Sequence, residues 1–424
     1  MQPDLNSPKT STPSDPNRST SPKASLLAGI YLVGFLDLAA VGVIVPFFPK
    51  HLENLGASPA LAGTYGSLYG ALQLLSSPLV GRLSDLHGRR RILLVVLLSC
   101  TVGYFLIGMA PNLFLLFLLR IPTGIFKHSL SLGKGCLADV TSEEKRPAQL
   151  GHYNGISSAG FIVGPIVGGH AVAYGGFQMA ATLAAFVFAV NFLIAYFLVR
   201  MDGTDVTAAG NREVYGDSFR LKEAIMIHRS PTWPKVSRLM TQRLLMGVGM
   251  IMFRGSFTLF LSHKFNTTPQ QNGYIQSYMA LVSAILSTQV GRISTLYPNK
   301  SALMCRACLM TVVTELAVTF APSLAFVYVA LVPLALATTT LRAITTHLCI
   351  EAVSTSERGE VMGIGQSMLS LARIIGPQVS GLALQVGNEV PGLVGAAVSL
   401  VGTGLVYKHG RDQRQRSGAH EKDE

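Results

Sequence analysis

Long apolar runs separated by short polar or charged segments dominate the chain between residues 26 and 407. Each run has about 20 residues, which is the length that an α-helix needs to cross a bilayer. The runs are interrupted at prolines and at clusters of charge. We therefore predict an all-α membrane protein with twelve spanning helices, at about 26–48, 59–80, 92–110, 112–138, 149–171, 177–199, 237–261, 270–290, 303–321, 323–349, 360–385 and 391–407.

The longest polar insert follows the sixth predicted span and divides the chain into two halves. The polar N-terminus has no basic head followed by an apolar core, so we expect no cleavable signal peptide. The central insert is either an interfacial amphipathic helix or a flexible linker. We predict a disordered cytoplasmic tail at 1–24, a six-helix bundle at 25–199, a cytoplasmic linker at 200–236, a second six-helix bundle at 237–407 and a cytoplasmic tail at 408–424.

Composition supports a membrane protein, because only 13% of the residues are charged and 49% are hydrophobic. In soluble domains about 25% of residues are charged. The net charge of +12 does not indicate nucleic-acid binding, because the basic residues are dispersed among the apolar runs. No nucleophile–base set, metal-ligand cluster or phosphate-binding loop is visible, so we predict no enzymatic activity, no metal and no cofactor.

The distribution of basic residues predicts the orientation in the membrane. Most lysines and arginines outside the spans fall in segments on the same side as the two termini, and the opposite loops carry only Lys50 and Lys264. Cytoplasmic loops are enriched in these residues. We therefore expect a multi-pass monomer in the lipid bilayer with both termini in the cytoplasm; the sequence does not indicate which membrane.

The two halves repeat each other at a nearly constant offset. Matching residues are Pro59 and Pro269, Gly63 and Gly273, Gly81 and Gly291, and the pairs Gly164-Pro165 and Gly376-Pro377. Two repeats running in the same sense are related by an axis along the membrane normal. Such an arrangement suits alternating access, in which two bundles rock about a central site.

Several motifs resemble those of the major facilitator superfamily. These are GRLSDLHGRRR at 81–91, LLRIPTG around Arg120, and GFIVGPIVGG at 160–169, which is similar to a motif of drug:proton antiporters. The first span, GFLDLAAVGVIVPFFP, is similar to that of the tetracycline antiporters, and RIPTGIFKHSLS resembles a vertebrate branch of the superfamily. The resemblance implies two pseudo-symmetric six-helix bundles and a secondary active transporter.

The resemblance also implies a conformational latch at 81–91, with Asp85 and Arg89 as its moving contacts. Gly81 and Gly88 would allow the tight turn, although the arginines could serve topology alone. Asp139 and Glu351 are repeat equivalents, and each is followed by an arginine seven residues later. We predict that the pairs Asp139–Arg146 and Glu351–Arg358 close an inner gate, with ordinary surface ion pairs as the alternative.

Glycine and proline residues in spans five and eleven predict either bending points at the interface between the halves or plain close packing. They are Gly160, Gly164, Pro165, Gly168, Gly376 and Pro377.

Positive charge inside the spans predicts a wet cavity. Arg120, Lys127, Ser131 and Lys134 share one face of a continuous fourth helix, and Arg254, Arg342 and Arg373 lie in later spans. Because lipid does not tolerate such a face, it should line water, and its charge favours a small organic anion as substrate. The alternative is internal pairing with Asp37 or Asp139.

Proton coupling is predicted at Asp37 and His128, although an interhelical hydrogen bond and a packed histidine explain them equally well. Glu315 is the other acid deep in a span, and its role is left open. The leading hypothesis is therefore a proton-coupled transporter of small organic anions. The alternatives are an exporter of amphipathic cations or drugs and a receptor or scaffold that does not transport.

Overall fold

The computed structural model describes residues 24–200, 233–297, 299–354 and 357–420. The predicted N-terminal tail and almost all of the predicted central linker therefore lie outside the described residues. Every regular element among the described residues is a helix.

The N-terminal half contains α1 (Ala24–Ile44), a 3₁₀ turn (Val45–Phe47), α2 (Phe48–Asn54), α3 (Pro59–His87), α4 (Arg89–Met109), α5 (Leu113–Phe126), α6 (Ser129–Val140) and α7 (Arg146–Leu198). The C-terminal half contains α8 (Trp233–Phe265), α9 (Pro269–Leu296), α10 (Lys300–Thr319), α11 (Leu324–Glu351), α12 (Arg358–Val386) and α13 (Val390–His420).

Local sequence explains where many of these helices begin. Ser58, Asn112, Asn299 and Ser323 each accept a hydrogen bond from a backbone N–H in the first turn of the helix that follows. Thr268 forms a reciprocal capping box with the third residue of α9. These caps satisfy N–H groups that have no partner within the helix.

The described helices are consistent with twelve membrane crossings. By length and composition alone, eight of the described helical stretches could cross a bilayer. One of them, α7, has 53 residues and breaks at Gly175 and Gly176, so it contains two predicted spans. Another predicted span is divided between α5 and α6. The last helix continues to His420, beyond the predicted end of the final span at 407.

The two halves meet at the side of the bundle opposite the termini, which we call the far side. Glu53, at the end of α2, contacts His263 of α8 with Oε1 and Nε2 2.9 Å apart. His170 Nε2 lies 2.8 Å from Tyr274 Oη. Thr64 donates to Gln378 Oε1 at 3.0 Å. These contacts join α2, α3 and α7 to the C-terminal half and close the far side.

Close backbone packing between the halves follows the sequence repeat. A Cβ atom added at Gly63 would collide with the carbonyl oxygen of Pro377, and one added at the equivalent Gly273 would collide with the carbonyl oxygen of Pro165. Each Gly-Pro element therefore lies against the equivalent glycine of the other half. Only glycine allows two backbones to approach so closely.

The side that carries the termini, which we call the termini side, lacks such close contacts between the halves around its described glycines. A Cβ atom added at Gly81, Gly151, Gly291 or Gly363 would meet no other atom within 4 Å. Asp85 and Arg89, the predicted latch residues, contact groups of their own half. The contacts described between the halves thus concentrate on the far side, and we interpret the bundle as closed there and open on the termini side.

We expect Gly273→Leu to separate the halves on the far side, because the added side chain would displace Pro165. Spin labels attached at Asn54 and Phe320, which are exposed on the far side, should move apart in double electron–electron resonance measurements. Gly291→Leu is the control, because a Cβ at Gly291 meets nothing. An unchanged label distance in Gly273→Leu would contradict this account of far-side closure.

Candidate functional site

The fourth predicted span is broken in its middle. Lys127 has φ −78° and ψ 70°, and the His128 N–H donates to the Phe126 carbonyl at 2.8 Å. These values define an inverse γ-turn. Gln73 Nε2 donates to the Lys127 carbonyl at 2.9 Å, so the break does not leave that carbonyl without a partner. The prediction of one continuous helical face through Arg120, Lys127, Ser131 and Lys134 is therefore wrong.

The break directs Lys127 toward Asp37 of α1. Its Nζ lies 2.6 Å from both carboxylate oxygens of Asp37, and Ser129 Oγ also donates to Asp37 Oδ1. Asp37 is 1% exposed and Lys127 is 7% exposed. Lys127 is thus paired internally, as in the alternative weighed from the sequence, and it does not line open water in this structure.

His128 is held separately from this ion pair. Its Nε2 lies 2.8 Å from Ser76 Oγ of α3, and its side chain is buried. The ring contacts Ser76 rather than Asp37, so the two predicted proton-coupling residues form no direct relay in this conformation.

Arg120 is packed among aromatic rings rather than facing water. Its guanidinium carbon lies 4.9 Å from the ring centre of Phe48, 4.5 Å from that of Tyr65 and 4.2 Å from that of Tyr69. The side chain is only 6% exposed. Cation–π contacts in a desolvated site are worth about 2 kcal/mol. The prediction that Arg120 lines the cavity does not hold in this conformation.

The arginines of the C-terminal half have a contrasting environment. Arg254, Arg342 and Arg373 are exposed, although they occur well inside α8, α11 and α12. Arg254 lies close enough to Arg342 for their like charges to interact unfavourably. Among the described residues, none of the three forms an ion pair. In the N-terminal half, Ser131 is exposed and Lys134 is half-buried.

Sequence reasoning missed one member of this cluster. Arg243 of α8 also lies near Arg342, and its Nη1 donates to Thr346 Oγ1 of α11 at 3.3 Å. Arg243 precedes Arg254 by eleven residues, which is close to three helical turns. This spacing places both arginines on one helix face and could have identified Arg243.

Among the described residues, the ion pairs of the predicted latch lie within the N-terminal half. Arg89 Nη2 lies 3.1 Å from Asp85 Oδ1, and Arg89 Nε lies 2.6 Å from Asp139 Oδ2. Gly88 has φ 90° and makes the predicted tight turn. Gly81, by contrast, lies inside α3, so the helix extends through most of the predicted loop.

The two predicted gate pairs are absent. Asp139 bonds Arg89 instead of Arg146, and Glu351 lies 3.6 Å from His347 Nδ1 rather than beside Arg358. Because the termini side is open, ion pairs that would close it are not expected in this conformation.

The glycine-rich face of α7 mainly contacts its own half. A Cβ at Gly160, Gly164 or Gly168 would collide with the backbone of α1. Gly376 similarly lies against Ile251 of α8. Of the predicted bending residues, only Pro165 and Pro377 reach the opposite half. Close packing therefore describes the four glycines.

The twelve-span arrangement, the repeat and the charged central region together agree with comparison to known proteins. A model of the Major Facilitator Superfamily matches residues 30–253 and 239–423. The chain belongs to the Major Facilitator Superfamily. It is an integral multi-pass membrane protein and a secondary transporter rather than an enzyme.

Members of the superfamily that resemble the chain include several transporters. Human solute carrier family 67 member A1 is 27% identical over 406 residues, covering 93% of this chain and 94% of its own. The class G tetracycline resistance protein of Vibrio anguillarum is 34% identical over 172 residues, which cover 39% of this chain and 44% of the resistance protein. The crystal structure of the human organic anion transporter MFSD10 (TETRAN) has a TM-score of 0.64 at 21% identity, and the match covers 91% of this chain and 99% of that structure.

We expect Lys127→Ala to destabilise the transporter by about 3–5 kcal/mol, because it leaves the buried Asp37 carboxylate without its counter-charge. Adding Asp37→Asn to this variant should recover most of the loss. Thermal unfolding of purified protein in detergent would measure both effects.

Lys50→Ala is the matched control for this measurement. Lys50 pairs with Glu53 at 2.8 Å, but the two side chains are 45% and 37% exposed, and solvent-accessible pairs contribute about 0–1 kcal/mol. A double variant that is no more stable than Lys127→Ala would show that Lys127 acts through something other than Asp37.

Proposed function

We propose that this transporter carries small organic anions, coupled to protons, through a cavity whose positive charge comes from Arg254, Arg342 and Arg373. It would act as a monomer with both termini in the cytoplasm, in accordance with the bias of basic residues in the loops. The termini side that is open in this structure would then face the cytoplasm.

The observation that carries the proposal is uncompensated positive charge exposed at membrane depth. Charged side chains within a membrane protein face a water-filled cavity or a partner, and these three arginines have no ion-pair partner among the described residues. Their exposure therefore supports a cavity lined by guanidinium groups. A site with this charge attracts anions and repels cations.

The N-terminal half adds little net charge to this site. Lys127 is neutralised by Asp37 at 2.6 Å, and Arg120 is buried among aromatic rings. The proposed substrate class therefore stays the one predicted from the sequence, but the residues responsible for it move to the C-terminal half. Similarity to the organic anion transporter MFSD10 supports this class, while similarity to tetracycline resistance proteins supports drug export as the alternative.

Alternating access would use the contacts already described. Closing the termini side would bring Asp85, Arg89 and Asp139 against the C-terminal half, where Arg358 begins α12. Opening the far side would break the contacts of Gly63 and Gly273. Because the two glycine contacts are equivalent by the repeat, rocking of the bundles would release both together.

We expect Arg254→Gln and Arg342→Gln each to weaken anion transport by about 10- to 100-fold in apparent affinity, because a charged hydrogen bond contributes about 1.5–3 kcal/mol. Purified protein in proteoliposomes would be offered acetate, benzoate, indole-3-acetate and cholate. Tetraethylammonium and tetracycline would represent cations and drugs. Uptake of each labelled compound would be measured by counterflow.

Arg292→Gln is the control, because Arg292 is an exposed arginine that bonds Gln289 of its own helix. It should transport like the wild type. Transport of the cation or of tetracycline, with no response to the carboxylates, would exclude the anion proposal and favour drug export. Transport of neither class would favour a protein that keeps the fold without transporting.

A further inference from the structure

Glu315 is a buried acid for which neither the ion pairs nor the proposed anion site accounts. It lies in α10 and is 2% exposed. Its Oε2 accepts one hydrogen bond, from Ser399 Oγ of α13 at 3.2 Å. Among the described residues, no cation forms an ion pair with it. A carboxylate with a single neutral donor in such surroundings is costly, so this arrangement favours the protonated acid.

Glu315 shares a cavity with one of the proposed anion-binding arginines. The cavity is lined by Glu315, Arg254 of α8, Ser283 of α9 and Thr338 of α11, together with apolar residues. Arg254 is the other charged residue that lines this cavity, and the two side chains form no ion pair in this conformation. One turn farther along α10, the Thr319 carbonyl accepts a hydrogen bond from Lys264 Nζ at 2.7 Å.

Asp37, the acid predicted from the sequence for proton coupling, is less suited to exchange protons. Both of its carboxylate oxygens contact Lys127 at 2.6 Å, and Ser129 donates to one of them. Protonating Asp37 would leave the buried Lys127 charge without a partner, which is strongly unfavourable. Glu315 forms no ion pair among the described residues, so its protonation leaves no buried cation without a partner.

We propose that Glu315 is the proton-carrying group of this transporter and that its proton is linked to anion binding through Arg254. This rests on the proposed anion function. With Glu315 protonated, as the observed surroundings favour, Arg254 is free to bind an anion. When the anion leaves, Glu315 releases its proton to water on the open side, and its carboxylate can then pair with Arg254.

This linkage has a direction. An anion and Glu315 in its charged form compete for the same guanidinium, so binding of the anion favours binding of the proton, and the reverse holds by linkage. The two would therefore cross the membrane together. A proton gradient would drive the anion toward the less acidic side.

Glu315→Gln keeps the shape of the protonated acid but cannot release a proton. In proteoliposomes we expect this variant to retain benzoate counterflow and to lose accumulation of benzoate driven by a pH gradient. Glu389→Gln is the control, because Glu389 is an exposed acid beside Lys264, and it should retain both activities. Gradient-driven accumulation by Glu315→Gln would overturn the proposal.

A second measurement reads the proton directly and does not depend on transport. Infrared difference spectra of the purified full chain, recorded while the pH is raised, should show loss of a carboxylic C=O band that is absent from Glu315→Gln. An identical band in that variant would overturn the assignment. Absence of benzoate transport in the wild type with this band present would reject the anion function and its linkage while retaining the proton site.

Ser399→Ala keeps the test decisive if Glu315→Gln does not fold. Removing the hydrogen bond that Ser399 donates to the carboxylate makes its charged form less favourable. The pH at which the C=O band disappears should therefore move upward. No movement would overturn the assignment of the band to Glu315.

Discussion

A charge inside a bilayer must be neutralised by a partner, packed against polarisable groups, or left in contact with water. This constraint separates the ionisable residues of the transporter into two sets. In the N-terminal half, Lys127 pairs with Asp37 and Arg120 is enclosed by three aromatic rings. In the C-terminal half, Arg254 and Arg342 are exposed. The first set stabilises a bundle, and the second would form the proposed anion site.

The neutralised set depends on the break between α5 and α6. A continuous helix would place Lys127 on the same face as Arg120, two turns away. The inverse γ-turn at Lys127 instead turns its side chain to Asp37, and Gln73 satisfies the carbonyl that the turn exposes. Irregular backbone at membrane depth is tolerated only where protein or a cavity surrounds it. The Asp37–Lys127 pair and the break therefore stabilise each other.

The sequence predicted the spans and the repeat because these depend on local hydropathy and on residue spacing. It also placed Gly88 correctly, since one glycine in a short loop suffices to indicate the turn. It could not predict the γ-turn at Lys127, because the apolar run of the fourth span continues on both sides. Pairing of Asp37 with Lys127 was one of two open alternatives, and choosing between them requires the distance between two spans. Arg243 was missed although its spacing to Arg254 indicates a shared face.

The two halves are therefore symmetric in their backbone contacts and asymmetric in their charged groups. The backbone contacts of Gly63 with Pro377 and of Gly273 with Pro165 are equivalent. Exposed guanidinium groups and the buried Glu315 carboxyl, in contrast, occur together only in the C-terminal half of the described chain. Because a coupling group acts most directly on a ligand when both share one cavity, the proposed proton group and the proposed anion site would lie on the same side of the rocking axis.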